Sequence, residues 1–391
     1  MKIGILTLHD SVNYGAVAQA CALARHLQTL GHEAVVIDRR RLAPEVDIRT
    51  PPLDRPYAKW LGLFHCEANN GMREAKIRID RTRRFLRERV GLTPYAFTDW
   101  RDAPEALGVD AIVVGSDQVW NANNLDPADY LLRGSSAAVP GIAYAASIGM
   151  RTIPAEKQPV YREGLARFKA ISMREREAAR LVGELGFEAE TVVDPVLLGG
   201  RRIWEDVLAE ESVAPGGTFA YFLAEDFDAV TGELMKFATP KDNGRVALFL
   251  DWFSFGRARG FLKARRNARR LDALRHAGVD LCAEAGPAEF VRAIAAADRV
   301  VSNSYHALMF ALIFGKEVRI VLPTNPVRRA MNSRLAEFEE IVSGPFLHDT
   351  LAEALASFGR GERCKVRAQE LKRRVDASRA WLRNALEGIG A

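Results

Sequence analysis

A histidine stands where a strand turns into a helix. In RVVSNSYHALMFALIFGKEVRIV, Arg299 to Val321, the β-branched pair Val300-Val301 runs into Ser302-Asn303-Ser304, and an apolar helical run opens with Tyr305-His306. Ser302, Asn303 and Ser304 are residue types that cap a helix, and the first N–H groups beyond a cap point outward as an anion site. His306, in the first turn, feels the positive end of the helix dipole. That disfavours the imidazolium and leaves a neutral imidazole able to accept a proton. A general base beside an anion cradle is the chemistry this spacing offers.

Three other turns carry unusual polar content. HDSVNYGAVAQA offers Asn13, Tyr14 and Gly15 at the opening of a helix, with Gly15 permitting close backbone approach to a ligand. It lacks the three-glycine dinucleotide fingerprint, so NAD or FAD binding is unsupported. VVGSDQVWN places Ser116, Asp117, Gln118, Trp120 and Asn121 after a buried strand. Carboxylate and amide groups suit sugar hydroxyls, and an indole can lie against the apolar face of a sugar ring. A core tryptophan beside a capped helix is the alternative there. ISMRERE supplies Arg174, a guanidinium able to grip a carboxylate or phosphate with two parallel bonds, although Glu175 and Glu177 are at hand to pair with it.

Elements that position these turns alternate between strand and helix patterns. Ile3–Leu8 reads as a strand, and Ala16–Leu30 as a helix with Val17, Cys21, Ala24, Leu27 and Leu30 on one face. Ala34–Ile37 completes a βαβ unit. Further strands are expected at Ala111–Val114, Ile142–Ser147 and Val192–Val193, with a helical segment around Glu163–Ala170. Asp194-Pro195 closes this series. A second set follows at Thr218–Leu223, Val246–Leu250, Val279–Cys282, Val300–Val301 and Val318–Leu322. The expectation is an α/β protein of two Rossmann-like doubly wound domains facing a cleft. Residues 1–195 form the first, on the acceptor side, with a basic helical insertion near 49–100. Residues 196–350 form the second, and 351–391 a helical tail that packs back across the first. Ligands of such sheets bind beyond the carboxyl ends of the strands, where all four turns fall.

Bulk properties exclude several classes. At 391 residues and 48% hydrophobic the chain exceeds one ordinary core, and 27% charged residues argue against disorder. A net charge of +5 favours anionic ligands but is too small to indicate nucleic acid. The basic stretches REAKIRIDRTRRFLRERV and RARGFLKARRNARR read as solvated helices, the first with an apolar stripe of Ile77, Ile79, Phe85, Leu86 and Val90. Peripheral contact with anionic lipid is their second reading. Cys21, Cys66, Cys282 and Cys364 are scattered without ligand spacing, as in reduced cytoplasmic proteins, and no metal site is expected. No segment reaches the ~20 apolar residues of a membrane span. MKIGILTLHD reads as a strand, not a secretion signal.

The ordered pieces MKIGILTLHDSVNYGAVAQACAL, VVGSDQVWN, YAASIG, ISMRERE, VVDPVLL, SNSYHALMFALIFGK and MNSRL resemble the polysaccharide pyruvyl transferase family from residue 1 to about 340. The resemblance implies a GT-B-like fold. It also implies transfer of an enolpyruvyl unit from phosphoenolpyruvate to a sugar of a polysaccharide or its lipid-linked precursor, usually giving a ketal, with no cofactor. By similarity His306 is the catalytic histidine, with Asp117 across the cleft to orient the acceptor or share acid–base work. Arg174, Ser302, Asn303, Ser304, Tyr305, Asn332 and Arg334 form the donor side. Asn13, Tyr14, Gly15, Ser116, Gln118, Trp120 and Asn121 form the acceptor side. Some family members carry arginine two residues before this histidine, where this chain has Ser304, which weakens the carry-over of donor binding to that turn. Two rivals stand beside this reading. One is a GT-B glycosyltransferase using a nucleotide sugar, for which Asp226-Phe227-Asp228 is a DxD best explained by chance. The other is a non-catalytic family member that binds an anionic ligand.

Overall fold

The computed structural model describes residues 1–9, 13–38, 66–93, 107–123, 130–132, 139–211, 213–223, 227–238, 244–250, 261–323, 329 and 333–390. Its first half winds β1 (Lys2–Leu6), α1 (Tyr14–Thr29), β2 (Glu33–Val36), α2 (Cys66–Arg89), β3 (Ala111–Val114), β4 (Gly141–Ala146), α3 (Gln158–Leu165), β5 (Phe168–Met173), α4 (Arg176–Glu184) and β6 (Glu190–Thr191). The strands form one parallel sheet in the order β2-β1-β3-β4-β5-β6. β3 and β4 are buried along their whole length, as expected of parallel strands covered on both faces.

Three short helical segments, including α5 (Pro195–Gly199) and α6 (Glu205–Leu208), lead into the second half. There β7 (Thr218–Tyr221), α7 (Phe227–Ala238), β8 (Val246–Phe249), α8 (Phe261–His276), β9 (Val279–Leu281), α9 (Pro287–Ala296), β10 (Arg299–Ser302), α10 (Tyr305–Phe314) and β11 (Glu317–Val321) follow in order. With β13 (Leu347–His348) they make a second parallel sheet, β13-β11-β10-β7-β8-β9. β12 (Val342–Ser343) pairs antiparallel with β14 (Lys365–Val366) beside it. Two doubly wound α/β units are therefore present, as the strand and helix periods imply.

The tail splits into α11 (Leu351–Gly359) and α12 (Ala368–Gly390). α12 returns to the first sheet. Leu382 and Leu386 join Ile3, Ile5, Val113 and Ile142 in one buried cluster, and Ser378 Oγ accepts the Val193 N–H at 3.0 Å.

Two expectations fail. The segment read as helix over 163–170 is the end of α3 followed by β5, because pairing with β4 outweighs the local helix preference of those residues. The basic helix α2 is also less solvated than its charge suggests. Arg78 is buried and donates from Nη1 to the Leu250 carbonyl and from Nη2 to that of Ala283, each at 2.7 Å. Those carbonyls lie past the ends of β8 and β9, so α2 ties the second sheet to the first half. Phe85 and Leu86 enter the largest core cluster beside Tyr14 and Val17 of α1 and Phe219, Phe249 and Phe290 of the second domain. This shared apolar core holds the two domains against each other and sets the cleft between their strand ends.

Candidate active site

The cleft is built from turns at the carboxyl ends of β3, β5 and β10, and from the cap of α5. After β3 the chain passes Gly115 at φ +110, where a Cβ would come within 2.4 Å of the Tyr144 carbonyl oxygen, and only glycine fits. Ser116 follows, fully buried, with its N–H on Gln19 Oε1 at 3.1 Å and its hydroxyl donating to the Ala145 carbonyl at 2.9 Å. Asp117, at φ 72, then projects its carboxylate toward Arg174.

Arg174 follows β5 with its guanidinium wholly buried. Nη2 donates to Asp117 Oδ1 at 3.2 Å and Nη1 to Asp194 Oδ2 at 3.1 Å, while Glu175 Oε2 stands 3.9 Å from Nε. Glu175 is held on its other oxygen by the Ser147 hydroxyl at 2.6 Å. Asp194 caps α5, where Oδ1 accepts the Val196 N–H at 3.0 Å. Its Oδ2, besides Arg174, has Ser116 Oγ at 3.4 Å and His306 Nε2 at 3.5 Å.

From the second domain, Ser304 caps α10 by accepting the Ala307 N–H at 3.4 Å, and the Ser304 N–H donates to Ser302 Oγ at 3.0 Å. Asn303 bridges to the end of β7, accepting the Leu223 N–H at 2.7 Å and donating to its carbonyl at 2.9 Å. These three residues thus shape the turn. Tyr305 and His306 face the cleft cluster. The Tyr305 ring lies between two guanidinium groups, Arg174 Cζ at 4.6 Å and Arg334 Cζ at 4.7 Å from its centroid. Nδ1 of His306 lies against the backbone of Gly15 at the start of α1.

Electrostatics follow from this packing. Burial pushes the Asp194 carboxyl up, but the contact with His306 and the charge of Arg174 more than reverse this and hold it at about 2. Burial acts the same way on Asp117, and Arg174, His306 and Arg334 outweigh it, keeping that carboxyl below its ordinary range. Both groups are therefore carboxylates near neutrality. Burial, reinforced by the like charge of Arg174, pulls the Arg334 guanidinium below its ordinary value. Five buried polar atoms gather here without a close hydrogen bond: Nε and Nη1 of Arg334, Arg174 Nε and Glu175 Oε2, which face each other at 3.9 Å, and His306 Nε2, whose charged neighbour is Asp194 Oδ2 at 3.5 Å. Such a concentration of unmet donors and acceptors is costly, and is expected where a ligand or a reaction uses them.

Not every expected site residue reaches this cluster. Trp120 is fully buried, donates Nε1–H to the Tyr130 carbonyl at 2.9 Å and packs edge-on to Phe168. It presents no face to a sugar. Tyr14 is buried between the domains, stacked on Phe290 at 4.6 Å, with its hydroxyl on the Ala285 carbonyl at 2.8 Å. Asn13 caps α1 by accepting the Gly15 N–H at 2.9 Å. Gln118 and Asn121 bond to each other at 3.1 Å. Asn332 and Asp226 lie outside the described residues, and Asp228 of the DxD is ion-paired to Arg266 and Arg270. Asp194, expected only to close the strand series before a proline, belongs to the cluster, and Glu175, expected as a surface partner of Arg174, is buried beside it. The signal for both was their place at strand ends in VVDPVLL and ISMRERE.

The topology and the cleft define a GT-B-type fold. UDP-GlcNAc 2-epimerase from Neisseria meningitidis bound to UDP-GlcNAc superposes with a TM-score of 0.50 at 10% identity, over 99% of this chain and 99% of that one. UDP-GlcNAc 2-epimerase from Methanocaldococcus jannaschii (TM-score 0.48, 12% identity, 91% and 92% covered) and E. coli heptosyltransferase WaaC with ADP (0.40, 14%, 87% and 97%) resemble it more loosely. At 10% identity the first of these likenesses speaks to fold alone. The family is shown by sequence: residues 13–325 match the model for polysaccharide pyruvyl transferase, and the chain belongs to that family. No curated protein matches it. Membership points to a transferase with a sugar or glycan acceptor. Among the described residues, no helix is long and apolar enough to cross a membrane.

Proposed function

We propose that the protein transfers an enolpyruvyl unit from phosphoenolpyruvate to a sugar of a polysaccharide or its lipid-linked precursor, on the cytoplasmic side, and closes it into a pyruvate ketal. The observation that carries this reading is the convergence of His306 from one domain with Arg174 and Asp117 from the other around the Asp194 carboxylate.

The chemistry suits those groups. Phosphoenolpyruvate brings a carboxylate and a phosphate, for which Arg174 and the unpartnered Nε and Nη1 of Arg334 are matched donors. A proton added to its methylene carbon makes a methyl group and leaves an oxocarbenium-like C2. An acceptor hydroxyl attacks C2 and gives up its proton. Cleavage of the C2–O bond releases phosphate, and a second hydroxyl closes the ketal with loss of its own proton. The sum is phosphoenolpyruvate and a diol giving a ketal and inorganic phosphate. His306 handles a proton in this sequence. Asp117, a carboxylate beside it, orients the hydroxyl, and by this route no metal or cofactor is required.

A thermal-shift titration with phosphoenolpyruvate, UDP, GDP and inorganic phosphate, followed by phosphate-release assays with sugar acceptors, tests the reading. A ligand at 100 times its Kd adds about 2.7 kcal/mol to folded-state stability. Selective stabilisation by phosphoenolpyruvate and acceptor-dependent phosphate release are expected. Selective stabilisation by a nucleotide, with no phosphate released from phosphoenolpyruvate, would replace it with a nucleotide-sugar glycosyltransferase.

A further inference from the structure

Asp194 has its two oxygens committed differently. Oδ1 is taken by the Val196 N–H at the start of α5, at 3.0 Å. Oδ2 faces the cleft, 3.1 Å from Arg174 Nη1 and 3.5 Å from His306 Nε2. The side chain is fully buried, and so is the Nε2 atom it faces. A lone pair on Nε2 would meet the lone pairs of an anionic oxygen across that gap, whereas an N–H there meets a negative charge. In a water-poor site the second arrangement is strongly favoured. The opposite ring nitrogen, Nδ1, lies over Gly15, where no side chain intervenes. Asp117, Arg174, Glu175 and Arg334 are further charged groups of this cluster.

We propose that Asp194 is a positioning residue that fixes His306 as the Nε2–H tautomer, which makes Nδ1, at the interdomain face over Gly15, the atom that takes up the proton. Its effect on catalysis rests on the pyruvyl-transfer reading; its effect on the tautomer does not. Asp194→Asn is a sharp test because Oδ1 is committed to the cap. An asparagine that keeps its carbonyl oxygen on Val196 turns its NH₂ toward Nε2 and toward Arg174 Nη1, so the bond to Arg174 is lost together with the charge. A donor there demands a lone pair on Nε2 and so imposes the Nδ1–H tautomer, while size, packing and cap persist.

Ring-nitrogen NMR of protein labelled with 15N-histidine reads this without substrate. Spectra are taken about two pH units above the ordinary histidine pKa of ~6.5, and His306 is assigned by comparison with His306→Gln among the seven histidines. In the wild type, Nε2 is expected to show the protonated, pyrrole-type shift and Nδ1 the pyridine-type shift, with the pattern reversed in Asp194→Asn. A wild-type Nδ1–H tautomer, or a pattern unchanged by the substitution, overturns the proposal. In the transfer assay kcat should fall about 10²-fold or more, with the phosphoenolpyruvate Kd within about threefold of wild type, because no anion-binding cation is removed. A reversed tautomer with unchanged kcat would leave Asp194 without a positioning role. If the wild type neither binds phosphoenolpyruvate nor turns over, the functional reading falls and the tautomer assignment is decided by the spectra alone.

Discussion

The ring of His306 rests on the backbone of Gly15, so that a Cβ built on Gly15 would lie 2.2 Å from Nδ1 and 2.5 Å from Cγ. The two residues come from different domains and from the first turns of α1 and α10. Gly15→Ala must therefore move the imidazole or part the domains. Overpacking of this kind costs about 1–3 kcal/mol, and a displaced catalytic ring costs about 10²-fold in rate. The expected result is a protein that still binds phosphoenolpyruvate, with kcat lowered roughly 10²-fold, read from calorimetry and steady-state kinetics. Activity within twofold of wild type would show that the ring is not held where the reaction needs it.

Arg174 neutralises a cluster that cannot neutralise itself. It touches Asp117 and Asp194 directly and has Glu175 beside its Nε, all of them buried. Arg174→Ala strands these carboxylates, and breaking a buried pair in this way costs about 3–5 kcal/mol. Urea unfolding should show that loss in the absence of ligand. Addition of phosphoenolpyruvate should then restore less stability than it adds to the wild type, since the substitution removes one of the two cations matched to it and leaves only Arg334. A variant as stable as wild type would mean that the carboxylates take up protons or rearrange.

Trp120 separates a core residue from a sugar platform. Its indole is fully buried against Phe168, with Nε1–H on the Tyr130 carbonyl. Trp120→Phe loses that bond and part of the ring, at a cost of roughly 2 kcal/mol from one unmet carbonyl and a small cavity. The melting temperature should fall by several degrees, while KM for the acceptor moves less than twofold. A large rise in acceptor KM with unchanged stability would restore the stacking role.

The difference between what the sequence reveals and what it hides runs along physical lines. Apolar runs such as Ala111–Val114 must be buried on both faces, and the turns after them must carry the polar chemistry, so the two sheets and the strand-end location of His306, Asp117 and Arg174 follow from pattern alone. β5 was hidden because Lys169 and Ala170 carry helical preference, and only pairing with β4 makes them extended. Trp120 and Arg78 were misjudged for a shared reason. Residue type fixes what a side chain can bond, and tertiary packing decides whether solvent or a buried carbonyl supplies the partner. Asp194 reads locally as a helix cap before proline, and one of its oxygens does only that. Nothing nearby in sequence announces that the other meets Arg174 and His306, from positions 20 residues earlier and more than 100 later.

The strap formed by α12 gives the fold a pH response apart from the cleft. His26, in the last turn of α1, is buried with Nε2 unpartnered. Burial, with the charges of Arg379 and Arg383 from α12, lowers its pKa from the ordinary 6.5 to about 4. The unfolded chain thus binds the proton first as pH falls. The stability linked to a neutral His26 is complete above about pH 6.5 and is lost progressively toward pH 4, where the folded state also protonates. The loss between pH 8 and pH 5 is about 2 kcal/mol from this group, by linkage. Urea midpoints measured across that range should fall in the wild type and flatten in His26→Gln, which cannot titrate. Neutralising the two arginines should narrow the window, because burial alone then sets the shift. Equal pH slopes in wild type and His26→Gln would place the acid sensitivity elsewhere, with the carboxylates around Arg174 the next group to titrate as the pH falls further.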